Sequence, residues 1–351
     1  MSIRTGRPVL LTPLLTAGGP VGAAAFTRAR QRALACEQAE VDALLLHDQQ
    51  STAGHAHRLP DFEAGTLAAA LAVATGHIGL ISTVCTGQLA PYHVARALAT
   101  VDFLSAGRSG WEAAAPDDET AQAEQANYRE PAHEPDQNVA PAALRQNRAA
   151  EFIDVVRGLW DSFQDDAFLR DRESGIYFVP ERLHQLDHTG THFDVAGPLN
   201  IARPPQGHPV LLRRVQDSED LALIGRRADI AVIPASGEHP EGTARTIRDT
   251  VRGHAREAGR KEDDVLVVLE HRVRAGDTDA SAAHLQELFA AQAADGFVLL
   301  PPEGPDDAAH TALVNLASSL RRQNPLPTVP PGSTLRARLG LPRPDGLHPT
   351  A

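Results

Sequence analysis

Eight short apolar runs, each followed by a longer stretch of helical periodicity, predict an α/β chain whose strands close into a (β/α)8 TIM barrel. The first strand-to-helix turn carries no G-x-G-x-x-G run, which weakens the main rival, an open doubly wound sheet. No stretch approaches the ~18 unbroken apolar residues of a membrane span, so no membrane partner is expected.

Val9–Leu15 is the first strand candidate, ended by Gly18-Gly19-Pro20, with Phe26–Glu40 as its helix. Arg4 and Arg7 ahead of that run, and Ala23 to Ala25 after it, have the outline of a secretion signal. Pro13 and the glycines interrupt it, and a first barrel strand explains the same residues. Ala43–His47 leads into Ala64–Thr75, and Ile78–Thr83 into Pro91–Leu104, where Pro91 suits a first helical position. Ser109–Ala114 precedes Pro141–Ser162, and Val210–Arg213 precedes Asp217–Arg227. Ile230–Ile233 pairs with Gly242–Ala258, Val265–Leu269 with Asp279–Ala293, and Gly296–Leu300 with Ala308–Gln323. Asp217 and Asp279 read as helix caps.

Two segments exceed a minimal barrel. Residues 116–138, acidic and rich in Ala, Pro and Glu, read as a mobile loop. Asp165 to Pro205 holds strand-like pieces, Ile176–Val179 and Thr191–Val195, and reads as an excursion with a hairpin. The chain, 1–351, is expected to form a single barrel domain, with 325–351 as an extended C-terminal tail wrapping the outside.

Composition excludes several classes. With 33 Lys and Arg against 45 Asp and Glu, the formal charge is −12, which argues against nucleic acid or an anionic membrane as partner. Lys261 is the only lysine, leaving little material for Schiff-base chemistry or a Walker-type phosphate loop. Cys36 and Cys85 are too few for a disulfide framework or a thiolate metal site and fit a cytoplasmic location.

In a barrel the chemistry sits where strands end and their loops begin, which selects Asp48, Thr83 to Thr86, Glu112, Arg213 to Asp217, and Glu270 with His271. Carboxylates and hydroxyls there can bind the edge of a heterocycle, and arginines can hold an anion. The plainer reading is that strand ends are polar because they meet water. His55-Ala56-His57, with His47 and Asp61 nearby, has the H-x-H spacing of metal-dependent barrel hydrolases. It lies after the second strand rather than on the first, and His271 is the one obvious later histidine, so loop histidines and no metal are expected. His133 and His239 sit in loops without a motif.

The strings FEAGTLAAALAVATGHIGL (62–80), APYHVARALATVDFLSAGRSGW (90–111), HFDVAGPLNIARPPQGHPV (192–210), DGFVLLPPEGP (295–305) and STLRARLGLPRP (333–344) carry a resemblance. The chain resembles the bacterial luciferase-like flavin-dependent monooxygenases, in the group of nitrilotriacetate monooxygenase component A and dibenzothiophene-sulfone monooxygenase. The resemblance runs from about Ala33 to Pro344 and implies a (β/α)8 barrel. It also implies reduced FMN supplied by a separate flavin reductase, oxygenation of a small organic substrate with O2, and a homodimer. The protein's share of such chemistry is binding, orientation and exclusion of water.

Carried over by position, the resemblance implies Asp48, Thr83 and Thr86 as flavin contacts, while Glu112 stands where the family has Asn after its Gly-Trp pair, here Gly110-Trp111. Ala142 and Gln146 stand where the family has His and Tyr, and His184, Asp187 and His188 take a structural role. The family's Gln-Ala-Gly-Ala-Ser phosphate turn is replaced by Arg213-Arg214-Val215-Gln216-Asp217. Such a turn needs backbone N–H groups to approach the phosphate, and Val215 narrows the approach. Asp217 adds an anion, and like charges about 4 Å apart at an effective dielectric near 20 repel by about 4 kcal/mol. Arg213 and Arg214 offset this only if they turn inward, and strand alternation lets one of them do so. The leading expectation is an FMN-dependent two-component monooxygenase. The alternative is a family member with a degenerate flavin site, acting as a binding protein or as the partner of another chain. A metal-dependent hydrolase is the third.

Overall fold

In the computed structural model the described residues are 6–16, 22–47, 62–87, 89–114, 141–235, 241–274, 276–323, 330 and 332–348. Asp48, His55, His57, Asp61, His133, His239 and the segment 116–138 lie outside them.

Along the chain run β1 (Val9–Pro13), α1 (Ala23–Gln38), β2 (Ala43–Leu46), α2 (Ala64–Ala72), β3 (Gly79–Cys85), α3 (Pro91–Leu104) and β4 (Ser109–Ala114). Then follow α4 (Pro141–Trp160), the two-residue strands β5 (His188–Thr189) and β6 (Asp194–Val195), β7 (Val210–Arg214), α5 (Asp220–Arg227) and β8 (Ile230–Ile233). The chain continues through α6 (Glu241–Glu257), β9 (Leu266–Arg272), α7 (Thr278–Ala290), β10 (Gly296–Leu300), α8 (Asp306–Gln323) and α9 (Leu335–Arg338). Eight strands close a barrel in the order β1-β2-β3-β4-β7-β8-β9-β10, each parallel to its neighbours. A helix follows each, so the fold is the expected (β/α)8 barrel.

Strand alternation sorts the side chains. Val9, Leu11, Ala43, Leu45, Ile81, Val210, Leu212, Val232, Val268 and Val298 fill the interior, while their neighbours in sequence pack outward under the helices. On one side of the outer shell Trp111 stands edge-on to Trp160, 6.1 Å apart, with Phe152 and Phe193 close by.

Part of the tail turns inward rather than wrapping the outside. Leu335, Leu339 and Leu341 belong to the interior cluster, so residues 335–341 form a floor under the barrel's N-terminal end, while 342–348 stay largely exposed. Gly79 makes room for it, since a Cβ there would sit 2.7 Å from the Leu335 side chain. Arg336 locks the floor, donating to Asp229 at 2.6 and 3.0 Å and to the His208 carbonyl at 3.0 and 3.1 Å.

Asp229 is one of three aspartates used alike. Asp42, Asp229 and Asp295 each precede a strand, accept the backbone N–H of the preceding strand (Leu10, Leu211 and Val267, each 2.8 Å), and pair with buried arginines. Burial alone would raise the Asp229 pKa, but Arg336 above all pulls it down to about 2.

Two further expectations are corrected. Ile176–Val179 is not a strand: its backbone bonds to the loop 167–171, through Arg170 N–H to Tyr177 O and Val179 N–H to Ala167 O. The antiparallel pair is β5 with β6, turned at Gly190 while the Glu151 carboxylate takes the N–H groups of His192 and Phe193. Asp279 lies within the first turn of α7 and Asp277 stands at its cap position, because the helix begins at Thr278.

Gly225 lets α5 lie against α6, for a Cβ there would be 2.5 Å from the Val251 carbonyl oxygen and 2.6 Å from His254 Cβ. Gly225→Ala should therefore lower stability by about 1–3 kcal/mol through overpacking, although Ala is the better helix former by about 1 kcal/mol. Urea denaturation measures it, and a rise in the midpoint would mean that the helices separate freely.

Candidate functional site at the barrel mouth

Alternation that places apolar side chains in the barrel places polar ones above them at the C-terminal rim. His47 stands two residues beyond Leu45, Thr83 beyond Ile81, Glu112 beyond Gly110, Arg214 beyond Leu212, and Glu270 beyond Val268. Together they form a connected row across the mouth. His47 Nδ1 is 3.0 Å from Thr83 Oγ1, and Thr83 donates to Glu112 Oε2 at 3.3 Å. Arg214 Nε donates to Glu112 Oε1 at 2.7 Å, and the other arm of its guanidinium bonds Glu270 Oε1. The second Glu270 oxygen accepts the Ala235 N–H at 3.0 Å.

Glu112 and Glu270 are buried and Arg214 is half-buried, so β4 and β9 are tied across the opening by one cation between two carboxylates. Burial would push the Glu112 pKa up. The Arg214 guanidinium and His47 outweigh it and hold the carboxyl below the usual range. Glu112 is thus a fixed anion and acceptor, with Thr83 and His47 beside it.

The other expected residues that are described do not join this row. Arg213, next in sequence to Arg214, points to the outer wall, donating to Asp220 at 2.8 Å and to the Ala113 carbonyl at 3.2 Å. Thr86 is buried in the loop after β3, its hydroxyl on the Ala114 carbonyl at 3.3 Å. His271 faces away from the mouth toward His284, and burial with that neighbour pushes its pKa down to about 4. Asp48 lies outside the described residues. Sequence reasoning sets His47 aside as a possible metal neighbour, although its two-residue offset from Leu45 already puts it on the inner face.

The turn after β7 is closed upon itself. Asp217 Oδ1 accepts the N–H groups of Glu219 (2.8 Å) and Asp220 (3.1 Å), and Asp220 Oδ2 accepts that of Gln216 (2.9 Å). Gln146 of α4 donates to Asp220 Oδ1 at 2.6 Å, so the outer-wall cluster joins Gln146, Arg213 and Asp220. The N–H groups of Gln216, Glu219 and Asp220 already hold carboxylates, and both arginines of the turn are committed. The residues present do not fit a phosphate.

Among the described residues no group of three or more His, Cys, Asp or Glu could hold a metal ion, and no helix is long and apolar enough to cross a membrane. His188 bonds Glu151 at 3.1 Å, and His184 stacks on His348 with ring centroids 3.8 Å apart.

A family model described as luciferase-like monooxygenase matches residues 9–327, which takes in all eight barrel strands. A subunit of the pristinamycin IIA synthase of Streptomyces pristinaespiralis is 38% identical over 344 residues, covering 97% of each chain. Nitrilotriacetate monooxygenase component A of Aminobacter aminovorans is 37% identical over 217 residues, 62% of this chain and 45% of that one. Among solved structures, EDTA monooxygenase from Chelativorans sp. BNC1 superimposes with a TM-score of 0.78 over 96% of this chain and 99% of that one, at 23% identity. That last likeness is one of fold.

Proposed function

The chain belongs to the luciferase-like monooxygenase family, and on that premise we propose that it serves a two-component flavin-dependent monooxygenase of the cytoplasm. In this reading a separate reductase supplies reduced FMN, and O2 oxygenates a small organic substrate. The observation that carries it is the family match running through every strand of the barrel, from residue 9 to residue 327. A flavin would supply the oxygen-activating chemistry. This chain's residues bind, orient and exclude water: Thr83, Glu112 and His47 line the mouth with hydrogen-bonding groups, and Arg214 with Glu270 closes one side.

A second reading is favoured by the turn after β7, where carboxylates take the N–H groups a phosphate needs. In it the chain is a partner that completes the enzyme alongside a second, flavin-bearing chain. The end-to-end likeness to a protein named as one subunit of a synthase supports this.

The test follows the fate of oxygen. The chain is supplied with NADH, FMN, a flavin reductase and labelled O2, over a panel of small organic compounds, alone and with a second luciferase-like chain. Labelled oxygen should enter a product, with the hydrogen peroxide yield falling to match. Peroxide accounting for all O2 consumed throughout the panel, in both arrangements, overturns the proposal. Product from the chain alone favours the first reading, and product only with the second chain favours the other.

A further inference from the structure

We propose that the described residues of this barrel offer no flavin-phosphate site, because the chain's own carboxylates occupy the anion position ahead of α5, and that the chain does not distinguish FMN from riboflavin. The inference rests on the flavin-dependent reading above and concerns one end of the ligand.

An N-terminal helix turn holds a phosphate through free N–H groups, the positive end of the helix dipole, and a nearby cation. Three of the turn's N–H groups, the dipole and both cations are engaged here. The N–H groups of Gln216, Glu219 and Asp220 all donate to Asp217 or Asp220. Asp217, Glu219 and Asp220 bring three carboxylates to the dipole's positive end, so a phosphate arriving there meets like charge before it meets a donor. Of the two cations, Arg213 is turned through the barrel wall onto Asp220, and Arg214 is held between Glu112 and Glu270. Freeing Arg214 for a phosphate would strand two buried carboxylates, and freeing Arg213 would strand the fully buried Asp220.

The start of α2, elsewhere on the barrel rim, is filled in the same manner. The Glu63 carboxylate accepts the N–H groups of Gly65 at 2.8 Å and Thr66 at 2.6 Å. The Val215 N–H is taken as well, continuing the strand ladder to the Val232 carbonyl at 2.9 Å.

The experiment compares FMN with riboflavin, which has the same ring without the phosphate, by fluorescence titration and calorimetry on the full chain. The two affinities should agree within about threefold. FMN binding more than about tenfold tighter than riboflavin overturns the proposal. Asp217→Ala is the second arm, because Asp217 is exposed and its loss leaves the buried Arg213–Asp220 pair intact. It frees two N–H groups and removes one charge, so FMN affinity should rise at least about fivefold while riboflavin affinity stays unchanged. A folded Asp217→Ala chain without that FMN-specific gain would mean that the carboxylate is not what fills the position. Neither arm reads oxygenation, so a failure here leaves the monooxygenase reading standing, and a failure there leaves the binding result standing.

Discussion

Replacing Arg336 by Met should lower the stability of the chain by about 3–5 kcal/mol, because it removes one partner of a buried ion pair and leaves the other behind. Asp229 is buried, and its carboxylate holds the Leu211 N–H as well as two Arg336 contacts. Arg336 also gives two hydrogen bonds to the His208 carbonyl, so its loss unties the floor segment from the strands above. The pH dependence carries a sign. The folded Asp229 pKa is pulled down to about 2 from its ordinary 3.8, so the stabilisation is present above pH ~4 and is lost as pH falls through 2. Denaturation midpoints taken between pH 7 and pH 2 should therefore converge for wild type and Arg336→Met as the medium becomes acidic. A constant gap across that range would mean that Arg336 acts by packing alone.

The parts of the fold legible in the sequence are those with a local signal. Ser109–Ala114, Ile230–Ile233 and Gly296–Leu300 are bounded by turn residues on both sides, and Pro91 marks the start of α3. The floor is not legible, because Pro and Gly around Leu335, Leu339 and Leu341 read as loop, and only the closed barrel supplies the apolar hole they fill. The hairpin lies a few residues from the expected place because Glu151, distant in sequence, sets the turn.

The site divides in the same way. Alternation foretells that one of Arg213 and Arg214 enters the barrel, but which one depends on the register of Val210 against Gly110, a fact of pairing between strands about a hundred residues apart in sequence. Glu112 and Glu270 are each visible as polar strand ends. Their shared cation is not, since β4 and β9 are not neighbours and meet only across the closed mouth.

That shared cation gives the second large effect. Arg214→Met should destabilise the chain by about 3–5 kcal/mol at neutral pH, because Glu112 and Glu270 would stay buried at the mouth without their common partner. A purely steric account predicts much less, since Met retains most of the arginine's apolar stem. The direction with pH again decides. Without Arg214, burial is no longer outweighed at Glu112, and its folded pKa should move from below the ordinary value to above it. A carboxyl whose folded pKa is raised loses stability as pH rises through that pKa, so the penalty should be small near pH 4 and full at neutrality. The gap to wild type should therefore close in acid here as it does for Arg336→Met, and one set of denaturation curves tests both. Adding Glu112→Gln and Glu270→Gln to Arg214→Met removes both stranded charges and keeps hydrogen-bonding groups toward Thr83 and the Ala235 N–H. The triple variant should recover most of the loss and be insensitive to pH over the same range. If it is no more stable than Arg214→Met, the guanidinium holds the mouth by its shape and its contacts, and the charge balance across β4 and β9 is not what keeps that end of the barrel together.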